Sequence, residues 1–169
     1  MVAAIQGNRQ DPLRKFQFQV QFHAIAGSTF SPPAETMGFS AVSGLRSETE
    51  TVEYKEGDRS FRRKLPGMTT FDNIVLSRGV VPNNTGLATF LSTWRDRVIE
   101  RSIGFPDDDL RLDVSVTLYD RRKTVPIKQW WGRACWPTVL EIEDLSGDAS
   151  DVLIERLELA CEEQEFRVP

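Results

Sequence analysis

The stretch Lys15–His23, KFQFQVQFH, puts Phe16, Phe18, Val20 and Phe22 at alternate positions, with Lys15, Gln17, Gln19 and Gln21 between them. Successive side chains leave a β-strand on opposite sides, so this period of two predicts a strand with one buried face and one wet face. Far downstream, Leu112, Val114, Val116 and Leu118 alternate in the same way with Arg111, Asp113, Ser115 and Thr117. A charged turn at Asp120–Thr124 then leads into Val125–Cys135, which reads as the partner strand of a hairpin. Trp136-Pro137 is expected to end it, because proline cannot donate to a continuing ladder. These elements make the chain mainly β.

Between those strands, residues 27–38 (GSTFSPPAETMG) read as a loop and Phe39–Val42 as a short apolar restart. Thr49–Tyr54 and Phe61–Leu65, joined through Glu56-Gly57-Asp58, read as a long hairpin. One limb carries Glu48, Glu50, Glu53, Lys55 and Glu56, the other Arg59, Arg62, Arg63 and Lys64, so charge is expected on both faces. A ribbon so poor in apolar residues supplies little core of its own. It is either a solvated edge or a projection from the body.

Phe71–Arg78 reads as a further strand. The convincing helix is Leu87–Arg101, where Leu87, Phe90, Leu91, Trp94 and Val98 form one stripe at helical spacing. Asn84 or Thr85 suits its N-cap, and Arg95, Arg97 and Arg101 suit the negative end of its dipole. Val139–Ile142 is short and extended. The last segment fits two patterns: Leu153, Leu157 and Cys161 line a helix, or, with Leu159, one face of a strand in which Glu155 is the misfit.

The 169 residues match one domain, with residues 1–11 as a flexible arm, and 40% hydrophobic content separates the chain from disordered ones. A net charge of −4 argues against sequence-specific nucleic-acid binding, which leaves a basic footprint. No apolar run is long enough for a membrane span, and residues 1–11 lack the hydrophobic centre of a secretory signal. Cys135 and Cys161 are expected to be buried thiols and not a disulfide.

Catalysis finds no support in the residues. His23 is the single histidine, and any Ser-His-Asp or Cys-His pairing must use it. Phosphate-loop, nucleophile-elbow and zinc-protease motifs are missing from the sequence, so no metal or cofactor is expected. Glu141 to Glu165 is an acidic run broken by one base, Arg156, and reads as a solvated face. Trp130 and Trp131 should point to opposite faces of a strand. One packs in the core; the other serves an interface or a carbohydrate-stacking platform.

Several motifs, in order, resemble the phage tail tube protein family, which builds the inner tube of contractile phage tails and related injection systems. They are Gly38–Leu45 (GFSAVSGL), Glu48–Tyr54 (ETETVEY), Arg63–Gly67 (RKLPG), Ile74–Val80 (IVLSRGV), Ala134–Pro137 (ACWP) and Ile154–Ala160 (IERLELA). They follow Asp11-Pro12 and the first strand and span roughly residues 11–162. The stretches 26–37 and 105–110 look longer than the family minimum. The resemblance implies two packed antiparallel sheets in a barrel-like body, one helix against it, and a final strand. It also implies a projecting hairpin, about residues 45–66, that reaches neighbouring subunits in six-membered rings stacked into a hollow tube.

On that reading the inter-subunit residues are Leu45, Glu48, Thr51, Val52, Glu53, Tyr54, Arg62, Arg63, Lys64, Leu65 and Pro66. Partners are other copies of the chain, sheath, baseplate and tube-terminating proteins, and DNA or protein cargo. Subunits are expected to assemble in the cytoplasm before joining a virion tail or injection particle. The basic limb 59–64 and the acidic run 141–165 are expected to meet between rings. The alternative is a non-catalytic β-barrel module that binds a ligand or carbohydrate.

Overall fold

The computed structural model describes residues 17–33, 38–55, 57, 61–80, 85–100, 110–120, 122–145 and 152–169. The predicted Asn84 cap, Arg101, the arm 1–11 and most of 105–110 lie outside them.

The opening alternation forms β1 (Phe18–Ala24), which pairs antiparallel with β6 (Leu112–Tyr119) in the register Phe18–Leu118, Val20–Val116, Phe22–Val114. Val20, Phe22, Leu112, Val114 and Val116 are buried, and Gln19, Gln21 and His23 occupy the other face. On its second edge β6 pairs with β7 (Pro126–Ile142).

Contrary to expectation, Trp136-Pro137 does not end β7. The strand changes partner there: residues 126–135 pair with β6 and residues 136–142 with β8 (Ile154–Ala160). Pro137 is tolerated because the register slips between Pro137 and Val139, so a bulge absorbs the missing donor. Beyond β8, β5 (Ile74–Gly79) and then β2 (Ala41–Ser43) complete the path β1-β6-β7-β8-β5-β2, while β9 (Glu163–Arg167) pairs with the first half of β7. Because β7 passes from one sheet to the other, the sheets face each other across a shared core.

The final segment is thus strand and not helix. Glu155, the misfit in its pattern, points into the core and binds Arg78 opposite it on β5, Nε to Oε2 2.6 Å, both side chains buried. Removing one partner of a buried pair strands the other charge at a cost of about 3–5 kcal/mol.

Helix α1 (Thr85–Glu100) presents Leu87, Phe90, Leu91 and Trp94 to that core, as their spacing predicted. Phe22 meets Phe90 at 5.7 Å and Trp94 at 5.6 Å between ring centroids, and Phe30 stacks on Phe90 at 5.5 Å. The Trp94 indole donates to the Leu110 carbonyl at 2.6 Å.

The cysteines overturn a second expectation: Cys135 and Cys161 are disulfide-bonded. They stand at the two corners where strands cross between sheets, Cys135 within β7 and Cys161 between β8 and β9. Gly132 lies against them; a Cβ there would come 2.7 Å from the Cys135 sulfur and 2.8 Å from Ile74 Cδ1. The bridge closes a loop of 26 residues, for which chain entropy gives roughly 3–4 kcal/mol. Reduction is expected to lower the unfolding free energy by about that amount in urea titrations, and Cys135→Ala to remove the sensitivity to reductant.

Candidate assembly interface

β3 (Ser47–Tyr54) and β4 (Arg63–Phe71) form a separate two-stranded ribbon in the register Val52–Leu65, Glu53–Lys64, Tyr54–Arg63. The second limb runs to Phe71, well beyond the expected end at residue 66, and Asp72-Asn73 divide it from β5. All of β3 is exposed, and it spans about 27 Å at ~3.4 Å per residue. The ribbon therefore stands off the body. Pro66 is accommodated beside a register shift between Thr49 and Thr51.

Charge does not cover both faces equally. Cross-strand partners share a face, so Val52, Tyr54 and Leu65 lie together, at 47%, 53% and 48% exposure. Thr51, Glu53, Lys64 and Pro66 occupy the opposite face, where Arg62 also reaches Glu53 at 2.9 Å. Arg63, opposite Tyr54, shares the face of Val52 and Leu65, and the half-exposed apolar group beside it makes the ribbon a candidate contact surface. Of the predicted interface residues, Leu45 differs from the rest: it is half-buried and packs against the core at the ribbon's root, while the others are exposed.

The root is clamped. Gln164 of β9 donates from Nε2 to the Gly44 carbonyl at 3.0 Å and to the Asp72 carbonyl at 2.6 Å, one on each limb's entry. Gly44 has φ +79°, and a Cβ there would come within 1.8 Å of the Asn73 carbonyl oxygen, so only glycine fits. Arg46 adds ion pairs to Glu48 and Asp72. Sequence reading missed Gln164, since its bond to Gly44 joins residues 120 positions apart. Gln164→Ala is expected to leave the body folded but loosen the ribbon, seen as faster amide exchange across 44–46 and 71–73.

The outer face of the β1-β6-β7-β9 sheet carries a polar network. Arg133 binds Asp113 at 2.5 Å and Glu165 at 3.2 Å, and its guanidinium lies 4.5 Å from the Trp131 ring centre. Hydrogen bonding from Arg167 foremost, then Arg133, holds the Glu165 carboxyl below the usual range. Trp130 and Trp131 point to opposite faces, as expected. Trp131 is engaged by His23, Arg133 and Arg167, which does not suit an open sugar platform.

On this face His23 Nε2 is 2.8 Å from Ser115 Oγ. The pair does not make a nucleophile. Ser115 is 1% exposed, and Asp113 accepts from Arg133 and from the Ala134 amide, leaving it committed elsewhere. Burial pushes the His23 imidazole below its ordinary 6.5, opposed by Asp113 and assisted by Arg133. A folded state that prefers neutral His23 keeps this contribution above about pH 6.5 and loses it as pH falls further. Urea titrations at pH 7.5 and 5.5 should show that loss, and His23→Gln should reduce the difference.

The acidic run is not a block of unpaired charge. Glu141 and Glu158 bind Arg156, Glu162 binds Arg111, Glu165 binds Arg133 and Arg167, and Glu155 is buried with Arg78. Among the described residues there is no cluster suited to a metal ion, and no helix is long and apolar enough to cross a membrane.

Two packed antiparallel sheets, one covering helix and a projecting ribbon define a mainly β domain. Residues 14–165 match the family described as T4-like virus tail tube protein gp19, and the chain belongs to that family. Its fold is similar to a chain in the anti-feeding prophage tube-terminating cap (TM-score 0.77, 20% identity, 99% of each chain covered). It is also similar to one in the six-fold symmetrised anti-feeding prophage baseplate (TM-score 0.74, 23% identity, 95% of this chain and 98% of that one). A third is in the extended sheath–tube complex of the extracellular contractile injection system PVC (TM-score 0.71, 23% identity, 94% and 93%). No curated protein sequence matches the chain.

Proposed function

We propose that the chain is the inner-tube subunit of a contractile tail or injection system, closing into six-membered rings that stack into a hollow conduit for DNA or protein cargo. The observation that carries this reading is the ribbon: a tail tube family member holds out a clamped hairpin with a half-exposed apolar face. Ring closure needs a head-to-tail contact between two different patches of one chain. Open strand edges suit it. Among the described residues, residues 136–142 of β7 pair on one side with β8, and β2 pairs on one side with β5. Such edges are a liability in a monomer and an assembly device in a polymer.

In this reading subunits pass from the cytoplasm into the particle, and sheath, baseplate and terminating proteins contact the finished tube. The predicted contact between the basic limb and the acidic run belongs to the same reading, with Glu141 and Glu162 exposed although they pair with Arg156 and Arg111 within the chain. Reversing Arg62 and Arg63 to Glu should stop tube growth while the monomer melts as the parent does. Normal tubes from that double variant would count against the ribbon as an inter-subunit element.

A further inference from the structure

We propose that the Cys135–Cys161 bridge is a redox device that sets the stiffness of the ribbon's root, firm when the sulfurs are bonded and loose when they are thiols. The coupling lies within one chain and needs no second copy.

The bridge stands beside the clamp. Cys161 is followed by Glu162, whose amide donates to the Arg133 carbonyl on β7 at 3.0 Å, and then by β9, which carries Gln164. Gln164 lies opposite Gly132 in the ladder, and both sulfurs pack on Gly132. A Cβ there would come 2.7 Å from the Cys135 sulfur and 2.9 Å from the Cys161 sulfur.

Ile74 gives a second route to the same place. Its Cδ1 would be 2.8 Å from that Cβ, so it closes another side around the sulfurs. Ile74 is buried and opens β5 directly after the ribbon. A Cβ on Gly44 would run into the Asn73 carbonyl and come 3.2 Å from Ile74 Cα. The bridge thus adjoins both features that fix the root: β9 with its Gln164, and the close passage of Gly44 over Asn73-Ile74.

Cutting the bond frees one side more than the other. Cys135 is fully buried within β7, while Cys161 is partly exposed in the connection between β8 and β9. Two thiols need more room than one bridge, and the packing on Gly132 and Ile74 leaves none inside. Cys161 therefore yields outward, taking Glu162 and the start of β9 with it. Gln164 is drawn off the Gly44 and Asp72 carbonyls. The Arg46 amide bond to Gly44 (2.9 Å) and the Asp72 amide bond to Arg46 (3.1 Å), both on exposed residues, then open more often.

A low-molecular-weight thiol supplies the two electrons. Its thiolate attacks the Cys161 sulfur, the S–S bond breaks, and Cys135 leaves as a thiolate that takes up a proton. A second thiolate attacks the outer sulfur of the mixed disulfide, releasing the Cys161 thiolate, which is protonated, and the oxidised small-molecule disulfide. The same couple run backwards closes the bridge. On the tube reading, subunits have a yielding root in a reducing cytoplasm and a firm one in the released particle.

The test is hydrogen exchange with mass spectrometry on the full chain, oxidised or reduced with dithiothreitol. Labelling lasts seconds to minutes, too short for global opening to contribute. Reduction should speed exchange at 44–46 and 71–73 about tenfold and leave β1 and β6 unchanged. Cys161→Ala should show the fast root without reductant and no response to it. Gln164→Ala should be fast already when oxidised, with less than about a twofold further rise on reduction.

Unchanged root exchange in the reduced parent overturns the proposal. So does an equal rise in β1 and β6, because the bridge then serves overall stability alone, and so does a full tenfold response in Gln164→Ala. Electron microscopy of the same samples reads tube formation separately, so failure of the coupling and failure of the tube reading are told apart.

Discussion

Replacing Val52 and Leu65 together with Asp is expected to give a folded monomer that forms neither rings nor tubes. Both side chains are about half exposed on a ribbon outside the core, so the substitution removes no core packing. In the proposed assembly the same positions lose their water. Each lost apolar contact costs about 1–2 kcal/mol, and an unpaired carboxylate in an interface costs several more. In the proposed ring every subunit contributes a ribbon, so the penalty falls at every joint. Circular dichroism and the melting temperature should match the parent, and sedimentation should show a single light species. Polymer formation by this variant at parental concentration would remove the ribbon from the assembly surface.

Trp94→Ala is the largest expected effect on the body itself. Trp94 is fully buried, contacts Phe22 and Phe90, and donates its indole N–H to the Leu110 carbonyl. Truncation leaves a cavity and an orphaned acceptor, together about 4–5 kcal/mol. A domain of this size has on the order of 5–15 kcal/mol in all, so about a quarter or more of its stability goes. At about 2–4 °C per kcal/mol the melting point should fall by roughly 10 °C or more. Trp94→Phe should recover much of the packing but not the bond to Leu110. A loss under 1 kcal/mol for Trp94→Ala would contradict the placement of α1 against the sheets.

The parts of the fold that sequence made legible are those governed by local period. Phe18–Val20–Phe22 and Leu112–Val114–Val116 alternate because one face of each strand is buried; Leu87, Phe90, Leu91 and Trp94 recur at helical spacing because α1 lays one stripe on the core. The misreadings, and the helix-or-strand choice that local pattern left open at Glu155, share a cause: each depended on a partner distant in sequence. Pro137 looks like a terminator until β7 is seen to exchange β6 for β8 at a bulge. Glu155 spoils a strand pattern until Arg78 is found across the ladder.

Cys135 and Cys161 meet because β7 and the β8–β9 connection each pass from one sheet to the other, which no local pattern encodes. The ribbon was legible as a hairpin, but its apolar face was not, since the slip near Glu50 sets which residues of the two limbs share a side. Gln164, which fixes the ribbon's direction, has no signature of its own; its meaning comes wholly from the two carbonyls it reaches.

The central claim, that this tail tube family member builds a hollow conduit from its own copies, is tested most directly by negative-stain electron microscopy of the concentrated protein, alone and with preformed tube ends. The account predicts rings or hollow tubes with six-fold end views, lengthening from the added ends. Small monodisperse particles under both conditions would contradict it.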